Sequence, residues 1–101
     1  MREYKFKRGY EVSERRLAEE LQKHFGSFEK EGDFYVVRNF YGIEELKAKI
    51  EGKLLLVETK TKIVDDEIAV KTLRAYNEFI ESLTGYSAKE RQKMLRKEVE
   101  V

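Results

Sequence analysis

The 101-residue chain has no cysteine and no proline, only two asparagines and two glutamines, and six glycines that stand singly. Each shortage removes a class of structure or chemistry. Without cysteine there are no disulfides, thiolate nucleophiles or zinc ribbons, and a reducing, cytoplasmic location is the expectation. Without proline, low-complexity stretches or internal repeats, nothing marks a linker, so residues 1–101 read as one domain. Scattered glycines leave no Gly-x-Gly-x-x-Gly turn and no Walker-type lysine loop, and nucleotide hydrolysis loses its recognisable machinery. The longest aliphatic run is Leu54-Leu55-Leu56-Val57, far below the roughly 20 residues of a membrane span, and no membrane role is expected.

Charge is what the chain has in excess. Charged residues make up 41% of it, led by 17 Glu and 13 Lys, yet the formal net charge is only +1. A Glu- and Lys-rich, amide-poor composition is that of hyperthermophile proteins. The signs are unevenly placed: residues 1–16 sum to +3, residues 63–86 to −3 and residues 89–97 to +4. Two basic ends flank an acidic segment, and the global charge does not announce nucleic acid.

Periodicity assigns the elements. Tyr4, Phe6 and Tyr10 alternate with Lys5, Lys7 and Gly9, a strand pattern with one aromatic and one basic face. Ser13 caps a helix that runs to about Phe25, with Leu17, Ala18, Leu21 and Phe25 as its apolar stripe and Gly26 as its stop. From Ser27 to Lys62 the period falls to 2, with breaks at Gly32-Asp33, Gly42 and Gly52-Lys53, which gives an antiparallel meander of four strands. A type II′ turn at Gly52-Lys53 sets Ile50 opposite Leu55, Ala48 opposite Val57 and Leu46 opposite Thr59. The same register sends Lys47, Lys49, Leu54 and Leu56 to the other face. Asp65 caps a long helix whose stripe is Ile68, Ala69, Thr72, Leu73, Tyr76, Phe79, Ile80 and Leu83, and Gly85 ends it. Ser87 and Glu90 form a capping box that opens a shorter, basic helix. The order strand, helix, four strands, long helix, short helix predicts an α+β sandwich with the helices on one face of an antiparallel sheet. Strand, helix, four strands and helix is also the order of the TATA-box-binding-protein-like fold.

The two ends of the chain carry a resemblance. Tyr4-Lys5-Phe6-Lys7-Arg8-Gly9-Tyr10, Tyr76-Asn77-Glu78-Phe79 and, above all, Thr84-Gly85-Tyr86-Ser87-Ala88-Lys89-Glu90-Arg91 are similar to the ends of a small family of archaeal proteins of unknown function. The resemblance implies an archaeal source and a TATA-box-binding-protein-like fold. It brings no activity and no site residue.

Catalytic and metal chemistry find little footing. His24, the one histidine, falls in the last turn of the first helix, where a helix-end role suits it better than catalysis. Asp65-Asp66-Glu67 meets the demands of a helix start rather than those of a magnesium site. No catalytic residue, metal or cofactor is assigned, and an enzyme is the less favoured reading. The leading reading is a non-enzymatic binding module with nucleic acid as its ligand class, its phosphates neutralised by Lys5, Lys7, Lys47 and Lys49 on strands and by Lys89, Arg91, Lys93 and Arg96 on the last helix. A protein-interaction module competes, most simply a homodimer that covers Leu54 and Leu56 on the open sheet face. A third reading places a small molecule between the long helix and the sheet, with Tyr10, Tyr76 and Asn77 as its polar groups.

Overall fold

The computed structural model describes residues 1–99, without the side chains of 95–99. The described residues form β1 (Arg2–Lys5), α1 (Glu14–Phe25), β2 (Glu29–Glu31), β3 (Phe34–Phe40), β4 (Ile43–Glu51), β5 (Leu54–Thr61), α2 (Asp66–Thr84) and α3 (Ala88–Val99). All five strands are antiparallel and lie in the order β1-β5-β4-β3-β2, so the first strand closes one edge beside the last. This is an α+β fold with a five-stranded sheet and three helices.

Local chemistry sets the boundaries. Ser13 Oγ accepts the Arg16 N–H at 3.2 Å and Asp65 Oδ1 accepts the Ile68 N–H at 2.9 Å, each satisfying a donor that a helix start leaves unpaired. Ser87 and Glu90 exchange bonds as the capping box requires: the Ser87 N–H donates to Glu90 Oε1 at 3.2 Å and the Glu90 N–H to Ser87 Oγ at 3.1 Å. Gly85 ends α2 at φ 87°, and the Tyr10 ring lies where its Cβ would be, at 2.5 Å, so both conformation and space demand glycine there. The β4–β5 pairing sets Leu46 against Thr59, Ala48 against Val57 and Ile50 against Leu55, the register read from Gly52-Lys53.

One expected strand is shorter than its pattern. β1 stops at Lys5 because Lys5 already pairs with Leu54, the first residue of β5, and no partner remains beyond it. The next donor on that side, the Lys7 N–H, goes instead to the Thr84 carbonyl at 2.7 Å, and the chain then turns through the Tyr10 N–H to Lys7 carbonyl bond at 3.0 Å. Tyr10 therefore lies outside the sheet.

The core sits between one sheet face and two helices. Tyr35, Val37, Leu46, Ala48, Leu55 and Val57 meet Leu17, Leu21 and Phe25 of α1 and Phe79, Ile80 and Leu83 of α2. Phe79 is fully buried, its ring edge-on to Phe25 with centroids 5.3 Å apart. Arg16 of α1 donates to the carbonyls of Leu83 at 2.9 Å and Ser82 at 3.0 Å, which binds the first helix to the end of the second.

Two features depart from the sequence pattern. The apolar stripe of α2 is covered only over its carboxyl-terminal half: Phe79, Ile80 and Leu83 are buried, whereas Leu73 is 61% exposed and Ala69 is exposed. The helix packs at one end and overhangs the sheet at the other. On the face without helices, Val36 and Leu56 are nonetheless 1% and 7% exposed. Val36 lies between Glu29 and Lys47, and Leu56 between Lys49 and Glu3, while Lys47 and Lys49 reach over the Phe34 ring at 5.9 and 5.2 Å. Long charged side chains roof the small apolar cluster with their stems. The expectation that Leu54 and Leu56 both stand exposed is corrected: Leu54 is half-buried and Leu56 is buried within the single chain.

Candidate functional site

The overhang of α2 opens two adjoining hollows. The smaller, about 280 Å³, lies between the amino-terminal half of α2 and the adjacent ends of β4 and β5, against Gly42, Ile43, Thr59, Thr61, Lys62, Val64, Ala69 and Thr72. The larger, about 690 Å³, lies among β1, α2 and α3, against Glu3, Tyr4, Lys5, Asn77, Tyr86, Ala88, Arg91, Gln92 and Met94. Arg2, Leu73 and Tyr76 line both, so the two join into one groove.

Strand alternation brings Arg2 and Tyr4 to the same side of β1, facing α2. There the hydroxyls of Tyr4 and Tyr76 lie 2.7 Å apart. Burial, then the bond to Tyr4, pushes Tyr76 well above the ordinary tyrosine value of 10.0. Tyr76 is therefore neutral near pH 7 and offers a hydrogen bond rather than a base. Arg2 lies against both hydroxyls, and its hydrogen bond to Tyr4 raises its guanidinium further, so the charge there is permanent. Arg91 reaches in from α3: it donates to Asn77 Oδ1 at 2.8 Å and to the Tyr86 carbonyl at 2.9 Å, and its guanidinium lies 5.4 Å over the Tyr4 ring.

The far end of the groove is held by Gly42. Its N–H donates to Thr72 Oγ1 at 2.9 Å, and that hydroxyl in turn donates to the Ile68 carbonyl at 2.7 Å. A Cβ at Gly42 would stand 3.1 Å from Thr72 Oγ1 and 3.2 Å from Val64 Cγ2, so this glycine serves close approach. The positive φ of the turn falls on Tyr41 instead, at 47°.

The linings select one sign of charge. Three cations, Arg2, Lys62 and Arg91, stand in the groove, while Glu3 and Lys5, which alternate to the other side of β1, reach only its rim and offset each other, although the whole chain carries 20 acidic residues to 21 basic ones. The open sheet face is the opposite case. Arg38 there pairs with Glu31 at 2.7 Å, Glu29 at 3.2 Å and Glu45 at 3.3 Å, and the strand register sets Glu58 beside Lys47 and Glu3 across from Leu56. That face is a checkerboard; the groove is basic.

The model of a family described as a domain of unknown function, DUF5611, matches residues 1–97. The chain belongs to the DUF5611 family. A hypothetical protein from Thermoplasma acidophilum, solved in solution by NMR, is similar at 36% identity over 94% of this chain and 97% of that one, with a TM-score of 0.66. No curated protein matches.

Within this DUF5611 chain the residues singled out from sequence are scattered. Lys5, Arg91, Tyr76 and Asn77 line the groove. Lys7 leaves it for Glu90 at 3.2 Å, and Tyr10 packs over Gly85 with Arg16 5.9 Å from its ring. Lys47 and Lys49 belong to the checkerboard face. Lys89 and Lys93 are exposed on α3, and Arg96 lies outside the described side chains. The Asn77 amide is spent on Arg91 and so ties α3 to α2. His24 bonds Glu20 at 3.0 Å on its own helix, and Asp65 is a cap. Sequence reasoning missed Arg2, Tyr4, Lys62 and Tyr86: the aromatic and basic density of the amino-terminal segment could have pointed to Arg2 and Tyr4, whereas nothing local marks Lys62 or Tyr86. Among the described residues no helix is long and apolar enough to cross a membrane.

Proposed function

We propose that this protein is a non-enzymatic binding module that holds a segment of single-stranded nucleic acid in the groove formed by β1, α2 and α3. The observation that carries this reading is the convergence of three cations, Arg2, Lys62 and Arg91, and three tyrosine rings, Tyr4, Tyr76 and Tyr86, on adjoining hollows whose one carboxylate, Glu3, lies at the rim beside Lys5. Cations that track phosphates, interleaved with rings on which bases stack, are the two components of single-strand recognition. The lining residues include no histidine, and threonine hydroxyls there have no adjacent base to activate them. This reading keeps Arg91 of the expected set and shifts the ligand from the strand lysines and the exposed side of the last helix to the groove. An archaeal origin and a TATA-box-binding-protein-like reading of the fold accompany this proposal, supported by the Thermoplasma relative and by the element order respectively.

Chemical-shift mapping tests it. Titration of a short oligothymidylate into isotope-labelled protein at low salt should move amides of residues 2–5, 59–62, 69–77 and 86–94. Shifts confined to 34–38 and 45–49 would return the site to the open face, and no shifts at all would remove nucleic acid.

A further inference from the structure

The smaller hollow has features that phosphate tracking alone does not use. Its walls are apolar, from Ile43, Val64 and Leu73, whereas Thr59 and Thr61 bring hydroxyls to it. At about 280 Å³ it falls just under the roughly 300 Å³ at which clefts for drug-sized ligands begin. It holds one ring system, not a long chain. The space is built in advance: the Gly42 N–H to Thr72 bond and the Thr72 to Ile68 bond fix the separation of α2 from the β3–β4 turn, and Gly42 lets the two approach. Arg2 and Lys62 are the two cations among its lining residues, and no carboxylate lines it.

We propose that this slot is a base pocket, taking one unstacked nucleobase from a strand whose backbone lies in the larger hollow. This rests on the nucleic-acid reading above and adds a specific subsite to it. A base inserted between Leu73 and the Ile43 and Val64 side stacks on apolar walls and presents its edge to the threonine hydroxyls. A nucleotide carries a phosphate on each side of its sugar, and Arg2 and Lys62 supply a cation for each. A hydrocarbon tail would use the walls but leave the hydroxyls and the second cation without a purpose. Arg2, Leu73 and Tyr76 belong to both hollows, so the strand passes from one to the other without leaving the protein surface.

The experiment compares a short oligothymidylate with its fully abasic counterpart of equal length and charge, by fluorescence anisotropy, on wild-type protein and on Ala69→Phe. Ala69 is an exposed helix position at the slot, so a ring there fills the space without entering the core. The wild type should bind the intact strand at least about tenfold more tightly, as a stacked base requires. Ala69→Phe should weaken the intact strand by about tenfold, the share of one stacked base, leaving the preference that the tyrosine rings supply and the abasic strand's binding unchanged. A preference for the intact strand that Ala69→Phe does not reduce overturns the base pocket while leaving the groove reading in place, and equal binding of both strands by the wild type overturns the pocket together with the stacking on the rings. Binding of neither strand overturns both.

Discussion

Ionising Tyr76 means placing a phenolate where burial and the Tyr4 hydroxyl both favour the neutral form. A group whose value is raised by folding contributes stability that is fully present below its unfolded value and is lost as pH climbs through it. Unfolding free energy should therefore fall as pH rises above 10.0, the unfolded reference for tyrosine. Tyr76→Phe should remove most of that alkaline loss in denaturant melts at several pH values. An unchanged alkaline slope in the variant would clear Tyr76 of the effect. One turn further along α2, at the core, the expected cost is independent of pH. Phe79 is fully buried against Phe25, and Phe79→Ala should cost about 3 to 5 kcal/mol by urea denaturation. A loss below about 1 kcal/mol would mean that the site collapses around the missing ring or that α2 is not seated there.

At the scale of elements, what was legible in the sequence was what is written locally. Ser13, Asp65, Gly26 and Gly85 mark helix ends through side chains and φ angles that involve residues no more than a few positions away, and each stands where the pattern put it. The β4–β5 register followed from the two residues of one turn. Legibility ended where an element's surroundings decide. Nothing in the stripe from Ile68 to Leu83 says that α1 and the sheet cover only its second half, because the periodicity of an uncovered helix face is identical to that of a covered one. Nor does alternation reveal that lysine stems will bury Leu56. Arg91 read as a free cation of a basic helix, yet it is the bolt that fixes α3 through Asn77 and Tyr86. The attachment of α3 can be loosened separately. Ser87→Ala breaks the capping box and should cost about 0.5 to 2 kcal/mol of local stability, seen as faster amide exchange in α3 with β3, β4 and β5 unchanged. Uniform acceleration through the sheet would make α3 part of the cooperative core instead.

For the whole molecule the deciding quantity is where charge of one sign is left over. The open sheet face interleaves Lys47, Lys49 and Arg38 with Glu29, Glu31, Glu45 and Glu58, so a polyanion approaching it meets more repulsive groups than attractive ones. The groove offers Arg2, Lys62 and Arg91, with Glu3 and Lys5 at its rim offsetting each other. Each phosphate that a cation neutralises releases condensed counterions, and for single strands log affinity falls with log salt at a slope of about −0.7 per contact. Three contacts in the groove give a slope of about −2.1, and replacing Arg2 and Lys62 by serine should bring it to about −0.7. Lys47→Ser with Lys49→Ser serves as the control, matched in charge removed but placed on the other face. If binding follows the protein's overall charge, the two double variants will weaken it alike. If it follows the groove, only the first will change the slope, and the second will leave both slope and affinity where they were.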